Sequence, residues 1–279
     1  MVKTNIYYDT HQHFWDFKLR DYDWIEKGSI LEKNYLPKNL KPNIDQVEIN
    51  KVVTVQAHQS LEDTFWLLDL AEQNDFIAGV VGWVDLTSKD LNKVLDKLQK
   101  NSFFKGVRHV WHDETEESWI VQESVLNGIK ELSNRGIPFD FLARPNHLPY
   151  IPKVFEKAPN LKGILDHIGK PLIAEGIFQP WAKLISEIST IPNLFCKISG
   201  MITEASEKWE VNDFNKYVFH VFKEFGENRV MFGSDWPVCL LAGEYKQVFE
   251  LPLKVLEKDL TENIKRKFLS DNAKKFYSL

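Results

Sequence analysis

The chain has 279 residues, 43% of them hydrophobic and 27% charged, with a formal net charge of −5; this is an ordinary globular balance at a length that one α/β barrel fills as a single unit, 1–279. No apolar run approaches the ~20 residues of a membrane span, and scattered lysines form no basic stripe, so neither a membrane nor nucleic acid is an expected partner. Cys196 and Cys239 form no Cys-x-x-Cys pair and read as packing residues, and the opening Met1-Val2-Lys3-Thr4-Asn5-Ile6 lacks the features of an export signal, so a cytoplasmic location is expected.

Short β-branched or apolar runs recur along the chain. The first, 6–10, leads into Asp9-Thr10-His11-Gln12-His13. A stretch of more than thirty residues, 14–49, then passes without a clear strand and carries Trp15, Phe17, Tyr22, Trp24 and Tyr35. Such an excursion reads either as a binding lid or as an aromatic flap that plugs the barrel end. Strand candidates follow at 51–56, 77–84, 106–110, 138–142, 162–166, 194–199 and 229–233. Val52-Val53-Thr54-Val55 and Ala78-Gly79-Val80-Val81 are nearly continuous apolar runs, as parallel strands covered on both faces require.

Helical spacing fills the gaps. Ser60-Leu61-Glu62-Asp63 resembles a capping box, with Phe65, Leu68 and Ala71 behind it and Asn74 at the end. Further helical stretches are expected near 89–100, 119–135, 148–157, 178–188, 213–224 and 244–256. Eight alternations, with no Gly-x-Gly-x-x-Gly after any strand, favour a closed (β/α)8 barrel over a doubly wound dinucleotide fold.

In such a barrel chemistry gathers at the C-terminal ends of the strands. His11 and His13, two apart on an extended chain, point to the same side and suit either one metal ion or one anionic centre. Strand four delivers Arg108, His109 and His112, strand six Asp166 and His167, and strand eight Asp235, which is placed to act as a general base. Arg108 and Asp166 read equally as a structural ion pair, and His109 and His112 as ordinary rim groups. Lys197 on strand seven either faces inward, polarising an oxygen, or outward into solvent. Gln56, His58, Trp83 and Arg144 sit at other strand ends, and Trp15 and Trp236 flank the first- and last-strand motifs, so these side chains are candidates to bond or stack on a polyol.

The segments His11-Gln12-His13-Phe14-Trp15-Asp16, Gly106-Val107-Arg108-His109, Leu165-Asp166-His167-Ile168-Gly169-Lys170-Pro171, Cys196-Lys197-Ile198-Ser199-Gly200 and Gly233-Ser234-Asp235-Trp236-Pro237, in that order, resemble the motif set of the amidohydrolase-related sugar lactonases. That group includes L-fuconolactone and L-rhamnonolactone hydrolases. The resemblance implies water attack on a sugar lactone with Asp235 as base, His11, His13 and His167 around the metal or carbonyl, and Arg108 and His109 on substrate oxygens. The strand-four Lys or Glu and strand-five His of two-metal amidohydrolases are replaced by Arg108-His109 and Arg144, so two metals are not expected. One Zn2+-like ion on His11, His13 and Asp235, with or without His167, or no required metal, are the alternatives. Rival readings are a metal-dependent decarboxylase of the same superfamily and a catalytically silent ligand-binding barrel.

Overall fold

The computed structural model describes residues 5–279; Met1–Thr4, part of the opening read above for an export signal, lie outside the described residues. Eight strands, β1 (Tyr8–Gln12), β2 (Lys51–Val55), β3 (Ile77–Gly82), β4 (Phe104–His109), β5 (Phe139–Phe141), β6 (Gly163–Leu165), β7 (Leu194–Ile198) and β8 (Val230–Phe232), pair in parallel in chain order. The ring closes just beyond β8, where Gln12 bridges Trp236 and the Thr10 hydroxyl donates to the Phe232 carbonyl at 2.6 Å. This is the (β/α)8 barrel expected from the alternation. No helix among the described residues is long and apolar enough to cross a membrane.

Local sequence explains the crossovers. In α2 (Leu61–Gln73) the Ser60 hydroxyl caps the Asp63 amide at 3.1 Å, and Leu67, Leu68 and Ala71 are buried. The amphipathic helices α3 (Leu91–Leu98), α4 (Glu123–Asn134), α5 (Ile151–Lys157), α6 (Trp181–Ser189), α7 (Val211–Phe225) and α8 (Tyr245–Val255) cover the other strands, with bounds within a few residues of those read from periodicity.

Three features depart from the sequence reading. The 14–49 excursion contains a helix, α1 (Pro37–Asp45), which buries Leu40 and Ile44 at i, i+4 spacing and accommodates Pro42. β1 begins two residues later than expected and runs on to Gln12, so His11 lies within the strand. The chain also ends in two short helices, α9 (Glu262–Arg266) and α10 (Asn272–Tyr277), joined by a π-helical turn. α10 closes the barrel at the strand starts: Phe276 packs on Phe195 with ring centroids 4.9 Å apart, and both Phe276 and Tyr277 join the interior layer of Val53, Val55, Val81, Ile164 and Met231.

At the opposite end the aromatic excursion folds over the mouth. Trp15 and Tyr35 exchange backbone hydrogen bonds of 2.9 and 3.0 Å, and the rings of Trp24 and Tyr35 meet the Trp15 indole edge-on at 5.3 and 5.2 Å. Arg20 pairs with the buried Asp63 carboxylate, and the Trp24 indole donates to the Ala57 carbonyl at 2.9 Å. The segment is therefore a packed flap that also forms a wall of the cavity beneath it.

Candidate active site

A cavity of about 540 Å3 opens at the C-terminal ends of the strands, with His13, Arg108, His167 and Asp235 on its floor and Trp24, His58, His112 and Lys170 among its walls. His11 and His13 bring their Nε2 atoms to 3.2 Å of each other, and Asp235 Oδ1 lies 3.2 Å from His13 Nε2 and 3.7 Å from His11 Nε2. The His167 Nε2 is 3.8 Å from the same oxygen. One carboxylate oxygen thus faces three imidazoles, two from the end of β1 and one from the end of β6.

Backbone conformation sets this arrangement. Asp235 adopts φ 58° and His167 φ 53°, left-handed values uncommon for residues other than glycine. The His167 ring is held by the Ser199 hydroxyl, 2.9 Å from Nδ1, and the space for it exists because residue 200 is glycine: a Cβ there would lie 2.5 Å from His167 Nδ1. Gly233 does the same for His11, whose own Cβ would be 2.6 Å from an added one.

Burial pushes the His11 and His167 imidazoles well below their ordinary value, with Lys197 the next contributor at His11, so both are neutral near pH 7. His112 is driven down to about 3 by burial and then by the charges of Lys170, Arg144 and Arg108. Burial opposes charge on Asp235 too, but the neighbouring His167 and His13 outweigh it and hold the carboxyl below its ordinary 3.8. The outcome is an ionised carboxylate set against neutral His11 and His167.

Arg108 reaches the floor from β4. Its guanidinium donates to the Gln56 carbonyl at 2.6 Å and lies 3.3 Å from His11 Nε2 and 3.8 Å from Asp166, while its buried Nε has no protein acceptor. His109, the next residue, takes the other face of the strand. Its ring stacks on Trp119 at 4.0 Å and meets Glu114 at 2.6 Å, and Trp83 donates its indole N–H to it at 3.2 Å. His109 and Trp83 therefore form a cluster outside the lining of this cavity.

The same alternation relocates other expected contacts. On β2, Val53, Val55 and Ala57 face the barrel interior or the cavity, so the Gln56 side chain is buried on the outer face and only its carbonyl touches Arg108. Lys197 does face inward, but it lies below the floor: its fully buried ammonium meets Asp140 at 2.5 Å, Asp166 at 3.1 Å and His11 Nδ1 at 3.1 Å. Trp15 in the flap and Trp236 against it are buried packing groups, Trp15 bonding the Lys33 carbonyl at 2.8 Å and Trp236 meeting Tyr35 edge-on at 5.2 Å. Arg144 is exposed on the rim, outside the lining.

Sequence reasoning missed Asp9 and Asp140, because both stand before the strand ends at which chemistry is sought. Asp140 lies at the centre of β5, bonded to Lys197 and to the Tyr277 hydroxyl at 3.1 Å. The signal that marks it is a carboxylate between two phenylalanines, Phe139-Asp140-Phe141, in a strand otherwise made for the core. Trp24 and Lys170 also line the cavity, although neither stands out as a ligand group in the sequence; Lys170 is paired with Glu204.

The amidohydrolase family model matches residues 8–279. An L-fucono-1,5-lactonase of Burkholderia ambifaria is 35% identical over 238 residues, covering 85% of this chain and 82% of that protein. An L-fucono-1,5-lactonase of Burkholderia multivorans is 31% identical over 283 residues, 97% and 95% of the two chains. The crystal structure of an amidohydrolase from Burkholderia multivorans with bound zinc superimposes with a TM-score of 0.92 at 30% identity, over 98% of this chain and 99% of that one. Barrel, mouth and full-length similarity agree: the chain belongs to the amidohydrolase family.

Proposed function

We propose that this enzyme hydrolyses a sugar lactone of the L-fucono- or L-rhamnono-lactone type to the open-chain sugar acid, with Asp235 as general base. The observation that carries the reading is the Asp235 carboxylate itself, ionised, lining the cavity and set 3.2 Å from His13 with Arg108 on the same floor. Similarity to lactonases over most of the chain supports the substrate class.

Opening a lactone needs a base for the attacking water, positive charge at the carbonyl oxygen and a proton for the departing ring oxygen. Asp235 takes the water proton. Arg108, permanently charged and lining the cavity, stabilises the oxyanion. The proton on Asp235 then passes to the ring oxygen, directly or through His167, and the carboxylate is restored. His112, neutral across the working range, is suited to bond a substrate hydroxyl, and Trp24 offers a face to the sugar ring.

The donor set fits one divalent ion. His11 Nε2, His13 Nε2 and Asp235 Oδ1 lie within 3.7 Å of one another, and His13 is braced through Nδ1 by the Val55 carbonyl at 2.8 Å, as ligand imidazoles are. Zinc in the similar Burkholderia multivorans structure supports this reading. When bound, such an ion supplies Lewis-acid polarisation of the lactone carbonyl.

The test is a pH-indicator hydrolysis assay on a panel of five- and six-membered sugar lactones, with native and chelator-treated enzyme side by side. Acid release on one or two members, reduced by roughly 100-fold or more in Asp235→Asn, is the expected result. Wild-type turnover in Asp235→Asn would remove Asp235 as base. Release of CO2 in place of acid turns the reading to a decarboxylase, and binding without either product turns it to a silent binder. The chelator arm decides whether the ion is needed.

A further inference from the structure

Asp9 is fully buried, and among the described residues no lysine or arginine pairs with it. Its charge is met entirely by hydrogen bonds. Oδ1 accepts from the backbone amides of His11 at 3.1 Å and Ser234 at 2.9 Å, and Oδ2 from the hydroxyls of Ser234 at 2.6 Å and Tyr245 at 2.9 Å. One carboxylate therefore ties β1, the segment after β8 and the first turn of α8 together.

These bonds flank Asp235. The Ser234 hydroxyl, oriented by Asp9, accepts from the Trp236 amide at 3.0 Å. The Asp235 amide donates to the His11 carbonyl, and the His13 amide to the Trp236 carbonyl, each at 2.7 Å. Asp235 is thus pinned on both sides while its own φ is 58°. A left-handed aspartate is strained and persists only where its surroundings over-determine it; the hydrogen bonds around Asp9 are such surroundings.

We infer that Asp9, acting through Ser234 and Tyr245, is a positioning residue that holds Asp235 in its left-handed conformation and aims its carboxylate at the attacking water. The inference rests on the reading of Asp235 as base. It assigns no contact between Asp9 and substrate.

Asp9→Asn keeps the size of the side chain but puts an amide N–H2 where an oxygen now accepts from its neighbours. A displacement of Asp235 by about 1 Å costs on the order of 100-fold in rate. The expected result is a kcat loss of that order with KM held within about twofold. Adding Asp9→Asn to Asp235→Asn should lower the residual kcat no further, because the two substitutions disable one device. A wild-type kcat in Asp9→Asn, or independent losses that multiply in the double variant, would overturn the inference.

Where Asp9→Asn does not accumulate as folded protein, Ser234→Ala and Tyr245→Phe each remove a hydroxyl donor. Each should then reduce kcat several-fold at constant KM, and two wild-type rates would refute the positioning role. If the unaltered enzyme opens no lactone, the functional reading has failed, and a crystal structure of Asp9→Asn judges this inference alone. Asp235 leaving its positive φ and drawing away from His13 sustains it; an unmoved Asp235 ends it.

Discussion

Replacing Gly200 with alanine separates backbone strain from site geometry. Gly200 has φ 57°, and a Cβ built on it would lie 2.5 Å from His167 Nδ1 and 2.7 Å from its Cγ, where ordinary contact begins at 3.4 Å. The imidazole must retreat by about 1 Å, off the Ser199 hydroxyl that holds it, and a displacement of that size costs on the order of 100-fold in rate. The left-handed backbone adds about 1–2 kcal/mol of destabilisation for any residue with a Cβ. At about 2–4 °C per kcal/mol for a chain of this size, the melting temperature should fall by roughly 2–8 °C. Gly136→Ala is the matched control: its φ is 68°, and nothing lies within 4 Å of the place its new methyl would take. Gly200→Ala should lose at least as much stability as Gly136→Ala in a thermal melt, since its overlap with His167 adds to the backbone cost, but only Gly200→Ala should lose kcat in the lactone assay. A Gly200→Ala enzyme with the control's kcat would refute the assignment of His167 to the reaction and the packing reasoning behind it.

Three further outcomes are expected. Lys197→Met removes the cation between Asp140 and Asp166 and should destabilise the fold by about 3–5 kcal/mol, read by denaturant unfolding; a loss under ~1 kcal/mol would mean the cluster is not a true ion network. Histidine NMR should find the midpoints of His11 and His167 well below the ordinary 6.5 and that of His112 near 3, since burial holds each imidazole neutral; a midpoint near 6.5 for any of them would contradict the burial assigned to it. Trp24→Ala should raise KM by roughly 2- to 10-fold with kcat little changed, as loss of one aromatic face predicts, and an unchanged KM would remove Trp24 from substrate binding.

The barrel was legible because its signal is distributed. Val52-Val53-Thr54-Val55 and the other apolar runs each mark a strand independently, and the Ser60 cap marks a helix start, so small errors in bounds leave the topology intact. α1 escaped because Leu40 and Ile44 are its main apolar pair and Pro42 interrupts it, and α10 because five π-helical residues break the periodicity before it. The side chains at the mouth were harder to sort. At a strand end one residue faces the cavity and the next faces the helices, so Arg108 enters the site while His109 joins Trp119 outside it. Residue type gives no parity, and parity depends on a register that shifts between Asp9 and Gln12 on β1.

Asp140, Asp166 and Lys197 beneath the floor, with Arg108 on it, bring two carboxylates and two cations together with little or no exposure. Burying four charges is expensive, and apolar residues of equal volume would commonly pack as stably. What such residues cannot do is grip the underside of an imidazole. A neutral imidazole accepts at only one nitrogen: His11 Nδ1 lies 3.1 Å from Lys197 and 3.3 Å from Asp166 on the underside, and Nε2 lies 3.3 Å from Arg108 on the cavity side, so in either tautomer the ring is located by members of this buried cluster. Asp140 is in turn bonded to Tyr277 on α10, at the far end of the barrel. The charge cluster is therefore best understood as the mounting of the site: it costs stability, and in exchange the direction of the His11 imidazole is fixed from inside the barrel, independently of the loops that form the mouth.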